Sequence, residues 1–179
     1  LKHCLRQLVQ RHESLRTSIR FRQGEPIQLI HKELPVEIRR VDAGNRDKAE
    51  IFKAFVRPFQ LDQPPLYRFE LVKFAGDQYA LLMDIHHIIF DGTSYLIFFK
   101  ELSHLYCGGD PAQLEPLNIQ YKEFAHWQTG EEGQANLKKM EQYWLERFKD
   151  GVPVLELPTD FPRPEIQSFE GELIRFQLE

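Results

Sequence analysis

The chain has 179 residues, 42% of them hydrophobic and 28% charged, with a net charge of -4, which suits one folded domain with a real core and excludes overall disorder. Its Lys and Arg residues are scattered, so neither a nucleic-acid footprint nor a polybasic membrane patch is drawn, and no apolar run approaches the ~20 residues of a membrane span. Cys4 and Cys107 form no C-x-x-C pair and are too few for a disulfide framework, so a reducing cytoplasm is expected.

Leu1, Leu5, Leu8 and Val9 recur at helical spacing and predict a helix running to about Arg11. The pattern opens at Leu1 already inside that repeat, with no initiator Met, which predicts a piece of a longer chain. From Arg16 to Arg22 apolar and polar residues alternate, as in a half-buried strand. Gln23-Gly24-Glu25-Pro26 is turn chemistry, and Ile27 to His31 returns as a hairpin partner. A strand is predicted over Val36–Val41 and a helix over Arg46–Arg57, stopped by Pro58. After Gln63-Pro64-Pro65, alternation resumes at Tyr67, Phe69 and Leu71 towards Phe74. Gly76-Asp77 then turns the chain into the apolar run Tyr79–Met83, giving an antiparallel hairpin.

Beyond that run, Leu96, Phe99, Leu102 and Tyr106 mark a helix over Thr93–Tyr106, closed by Gly108-Gly109. Helices are predicted over Ile119–Gln128 and Ala135–Lys149, the latter with Leu137, Met140, Trp144 and Phe148 inward. The stretch Gly151–Pro164 holds Pro153, Pro158, Pro162 and Pro164 and reads as a semi-rigid connector. Leu173 to Leu178 reads as a final strand. Strands and helices interleave around at least one hairpin, so the expected architecture is α/β, a mixed sheet covered by helices on one face.

The stretch richest in chemistry is Asp84-Ile85-His86-His87-Ile88-Ile89-Phe90-Asp91-Gly92, which joins a buried strand to a helix. Adjacent side chains on an extended segment point to opposite faces, so His86 and His87 cannot share one cavity while the strand persists. Metal ligands would stand at i and i+2 on a strand or i and i+4 on a helix, and no Cys or third His lies nearby, so no metal site is expected. An imidazole here is either a hydrogen-bonded core group or a general base. Asp91-Gly92 breaks the run, Thr93 or Ser94 can cap the following helix, and Asp91 could polarise an imidazole.

The His-His-x-x-x-Asp-Gly pattern of residues 86–92 resembles the active-site signature of the condensation domains of nonribosomal peptide synthetases, within the chloramphenicol acetyltransferase-like superfamily. Three further stretches agree in order and spacing. Arg11–Thr17 is similar to the family's Arg-His-Glu-x-Leu-Arg-Thr motif, Tyr121–Trp127 to Tyr-x-Asp-Phe-Ala-x-Trp, and Leu157–Pro164 to Leu-Pro-Thr-Asp-x-Pro-Arg-Pro. The resemblance spans nearly the whole chain. The family's opening Ser-x-Ala-Gln-x-Arg-Leu-Trp segment has no counterpart, so residues 1–164 are expected to be most of an N-terminal lobe, with 165–179 leading to a C-terminal lobe beyond it.

That resemblance implies a two-layer chloramphenicol acetyltransferase-like sandwich and the formation of an amide bond. Donor and acceptor carrier proteins would bring both substrates on phosphopantetheine arms, beside adjacent synthetase domains and with no cofactor bound by the domain itself. It implies that His87 reaches the reacting groups, that His86 is structural, and that Asp91 is the structural partner of an Arg, with Arg16 the first choice and Arg11 the second. Gly92 would keep the backbone open or relax the turn. Phe90 stands where a small residue is common, and its ring either narrows the site or packs under the turn, packing being the first choice. Heterocyclisation relatives are excluded because both histidines are present. An epimerisation domain, a coenzyme A-dependent acyltransferase and a silent carrier-docking module remain alternatives, and the isolated chain is expected to be inactive because a site between two lobes cannot be complete in one.

Overall fold

A computed structural model describes residues 1–168 and 171–177. The chain forms two compact units, Leu1–Gln134 and Ala135–Glu179.

Within the first unit, helix α1 (Lys2–Arg11) buries Cys4, Leu5, Leu8 and Val9 along one stripe and carries Arg11 in its last turn, where a cation suits the helix C-terminus. A 3₁₀ turn over Glu13–Arg16 follows, then the hairpin β1 (Thr17–Arg22) and β2 (Glu25–Ile30). Its two-residue loop puts Gln23 at φ 55° and Gly24 at φ 86°, the left-handed pair that matches the twist of a tight hairpin. Strand β3 (Ile38–Gly44), helix α2 (Lys48–Phe55) and strand β4 (Tyr67–Phe74) make a crossover unit in which β3 and β4 are parallel. Strand β5 (Tyr79–Ile85) returns antiparallel to β4, pairing Phe69 with Met83 and Leu71 with Leu81.

Period-two alternation assigns the two faces of the β3-β4-β5 sheet. Tyr67, Phe69, Leu81, Met83 and Ile85 join Leu5, Leu8 and Val9 of α1 in one core. Helix α3 (Gly92–Tyr106) adds Phe98, Leu102 and Leu105 to it. Val72 and Leu82 on the opposite face meet Ile51 of α2. The sequence assigned α3 correctly but chose its inner face as Leu96, Phe99, Leu102 and Tyr106. Leu96 and Tyr106 are exposed instead, and the buried stripe is Phe98, Glu101, Leu102 and Leu105. The reason is that Tyr95 to Phe99 is apolar without a break, so periodicity could not choose between two stripes.

Helix α4 (Tyr121–Thr129) begins at Gln120, whose backbone N–H donates to Glu123 Oε2 at 2.8 Å. Helix α5 (Glu131–Arg147) starts in the first unit and continues into the second. Leu137, Met140, Trp144 and Phe148, expected inward, are exposed; Trp144 and Phe148 instead stack on each other at 5.6 Å. The Pro-rich connector from 151 to 164 is exposed and has neither helix nor strand. Residues 173–177 do not form the expected strand, and Leu178 lies outside the described residues. An extended strand needs a neighbour for its backbone groups, and these exposed residues have no ladder bonds. Among the described residues no helix is long and apolar enough to cross a membrane.

Candidate active site

Strand β5 stops at Ile85, one residue before the histidines. The His86 N–H extends the ladder by donating to Leu66 O at 2.9 Å, and its carbonyl accepts from Ile89 N–H at 3.1 Å to close a turn. His86 Nδ1 accepts from Ile88 N–H at 3.0 Å, and the ring stands edge-on to Phe59 at 6.0 Å. Buried Ile89 anchors the turn in the core. His87 is exposed within it. The two imidazoles are thus separated by a turn and not by strand alternation, because the strand has already ended.

His87 borders a cavity of about 600 Å³. Thr17, Ile19, Ile27 and Gln28 of the β1–β2 hairpin, Asp91 and Ser94 at the start of α3, and Tyr121 of α4 also line it. Asp91 is the N-cap of α3: its Oδ1 accepts from the Ser94 N–H at 2.8 Å and from the Ser94 hydroxyl at 2.7 Å. Those two bonds hold its carboxyl below the usual carboxylate range, with the neighbouring His87 adding a smaller pull in the same direction. Gly92 follows as the first helical residue. A Cβ there would meet open space and its φ lies outside the left-handed region, so the turn needs no glycine for its conformation.

The expected Arg–Asp91 pair is not formed. The buried Arg16 guanidinium donates to four carbonyls: Val9 O at 3.1 Å, Gln10 O at 3.2 Å, His31 O at 2.5 Å and, more loosely, Lys32 O at 3.5 Å. It thereby satisfies carbonyls that the end of α1 leaves without helical partners, and ties them to the end of β2. Arg11 is also occupied elsewhere, its Nε donating to Glu101 Oε1 at 3.1 Å and its terminal nitrogen to Glu115 O. Asp91 needs neither, since Ser94 supplies its donors.

Glu101 is a residue that sequence reasoning passed over. It is 8% exposed, and its second oxygen accepts from His12 Nε2 at 2.6 Å. Gln120 adds to the same knot, donating to Arg11 O and accepting from the Glu13 N–H, both at 3.1 Å. Lys122 Nζ lies 2.7 Å from the Glu13 carboxylate. The signal for Glu101 was available: a carboxylate within the i, i+3, i+4, i+7 stripe of Phe98, Leu102 and Leu105 must find partners. Residues Arg11, His12 and Glu13 therefore clasp α1 to α3 and to the start of α4, while His87 is presented to a cavity. Among the described residues, no three His, Cys, Asp or Glu side chains converge on a metal position.

Comparison with known proteins gives the chain's family. The condensation domain family matches residues 1–179. Tyrocidine synthase 3 of Brevibacillus parabrevis is 45% identical over 173 residues, covering 97% of the chain and 3% of that protein. Surfactin synthase subunit 1 of Bacillus subtilis (strain 168) is 44% identical over 179 residues, 100% of the chain and 5% of that protein. The X-domain from teicoplanin biosynthesis superposes with a TM-score of 0.71 at 26% identity, over 92% of this chain and 38% of that one. The epimerization domain from the third module of tyrocidine synthetase B shares the fold, with a TM-score of 0.68 at 21% identity over 90% of this chain and 39% of that one. The chain thus spans a small part of its curated relatives and about two-fifths of these solved chains, and it belongs to the condensation domain family, with that family's chloramphenicol acetyltransferase-like α/β fold.

Proposed function

We propose that the chain carries the His87 side of a site that joins an amine to a thioester acyl group, in the assembly of a nonribosomal peptide. Donor and acceptor carrier proteins deliver the two substrates on phosphopantetheine arms, adjacent synthetase domains load them, and a second lobe completes the site. The observation that supports this reading is the exposed imidazole of His87, held by a rigid turn at the edge of a cavity of about 600 Å³.

The amine nitrogen attacks the thioester carbonyl carbon, forming the C–N bond. His87 takes the proton that the nitrogen sheds and returns it to the sulfur as the C–S bond breaks, so an amide and a thiol leave. Asp91 caps α3 and fixes the turn from its far side; its carboxylate is directed to Ser94 and is given no proton to move. A positioned base contributes ~10²–10⁴-fold. In the intact protein with both carriers loaded, His87→Ala is expected to lower amide formation by about that factor while thermal stability stays unchanged, because the ring is exposed. Mass spectrometry of the carrier-bound product checks this. Undiminished product would remove His87 from the chemistry, and inversion at the donor Cα without amide would assign the site to epimerisation.

A further inference from the structure

Phe90 stands where cavities meet. Next to the His87 cavity lies a smaller recess of about 200 Å³, bounded by His12, Leu15, Ile97, Phe98, Leu117 and Ile119. Ser14, Phe90, Ser94 and Tyr121 line both, so they form the shared wall. Phe90 also borders a third hollow of about 380 Å³ against β5. Its half-buried ring meets the fully buried Phe98 edge to face at 5.7 Å, which fixes where the wall stands. Of the two roles open to this ring from the sequence, packing under the turn accounts for the contact with Phe98, and the wall it forms bears on the other, narrowing of the site.

The recess is dominated by aliphatic and aromatic side chains, and its larger polar groups are already engaged, His12 by Glu101 and the Gln120 amide by Arg11 O and the Glu13 N–H. An apolar hollow sharing a wall with the candidate reacting centre suits an apolar substituent and offers little to a charged one. Ser14 and Ser94 are short and cannot close the boundary by size; of the two rings on the wall, Tyr121 is exposed, whereas Phe90 is half-buried and held against Phe98.

We propose that Phe90 is a specificity-determining residue: its ring separates the recess from the His87 cavity and limits the acyl group presented to His87 to small apolar side chains. This rests on the amide-forming reading of His87. Shortening the ring joins the two spaces and admits leucyl and phenylalanyl groups; enlarging it narrows the site further.

The test uses the intact protein with donor carriers bearing alanyl, leucyl or phenylalanyl groups, and compares wild type with Phe90→Ala, Phe90→Leu and Phe90→Trp. The phenylalanyl-to-alanyl ratio of kcat/KM is expected to rise at least about tenfold in Phe90→Ala, less in Phe90→Leu, and to fall in Phe90→Trp, in keeping with the ~10–200-fold that a methylene commands in an apolar pocket. A ratio taken within one variant cancels any loss of folded protein, and Phe90→Leu keeps much of the contact with Phe98. Calorimetric binding of alanyl and phenylalanyl N-acetylcysteamine analogues, with an amide in place of the thioester, separates this inference from the reaction it rests on. A shifted affinity ratio without amide formation keeps the recess and removes the reaction. Amide formation with both ratios unmoved in every variant keeps the reaction and overturns the recess. No amide and no analogue binding overturns both.

Discussion

Two motif segments of this chain hold themselves in opposite ways. From His86 to Ser94 the side-chain hydrogen bonds are short-range, His86 with Ile88 and Asp91 with Ser94, and one backbone bond, from the His86 N–H to Leu66 O, ties the segment to the sheet. From Arg11 to Thr17 many reach across the chain, to Glu101, Glu115, Gln120 and Lys122. A segment braced by its own backbone can leave a side chain unspent, which is how His87 comes to face a cavity. A segment that fastens distant elements spends its polar groups on them, and Arg11, His12, Glu13 and Arg16 are all engaged. A polar residue in a signature motif is thus equally suited to chemistry or to fastening, and hydrogen-bond reach distinguishes the two.

The sharpest way to break the comparison is at Glu101. Removing one partner of a largely buried ion pair costs on the order of 3 kcal/mol, so Glu101→Ala should lower stability by about that much in chemical denaturation. Arg11→Ala should add little on top of it, with a coupling of about 0.5–3 kcal/mol, whereas Arg16→Ala and Asp91→Ala should combine additively because they share no bond. A coupling between Arg16 and Asp91 instead would restore the pair that the sequence suggested.

A smaller effect is expected at Asp91. Asp91→Ala removes the cap and should lower the melting temperature, while Asp91→Asn keeps an accepting oxygen but not the charge and should lower it less. The folded carboxyl titrates below its unfolded value, so the stabilisation from its charge is fully present above about pH 4 and is lost as pH falls through the folded value. The melting-temperature advantage of wild type over Asp91→Asn, followed against pH, should accordingly shrink on acidification and not on alkalinisation. The smallest change belongs to Gly92→Ala, which enters open space at a helix start and should be neutral or stabilising by up to about 1 kcal/mol.

What the sequence made legible was local. The β1–β2 hairpin, the β4–β5 hairpin and the extent of α3 follow from alternation, turn residues and helical spacing, and each lies within a few residues of its predicted bounds. The site turn between β5 and α3 was legible for the same reason. Long-range choices were not. The parallel pairing of β3 with β4 across α2 leaves no mark in either strand, and Arg16 binds carbonyls, which every residue carries. The inner face of α3 was ambiguous because the helix is apolar around much of its girth. Glu101 was passed over too, although a charge among the residues that prove to be buried was a signal for it.

The bond from the Ile88 N–H to His86 Nδ1 carries one further consequence. A nitrogen that accepts from an amide cannot hold a proton of its own, so neutral His86 is confined to the tautomer protonated at Nε2, and charging the ring would forfeit the bond that shapes the turn. Its neighbour stands under no such restraint. Two side chains of identical composition, joined by one peptide bond, therefore take different parts: one is a fixed dipole built into the scaffold, the other stands exposed at the edge of a cavity.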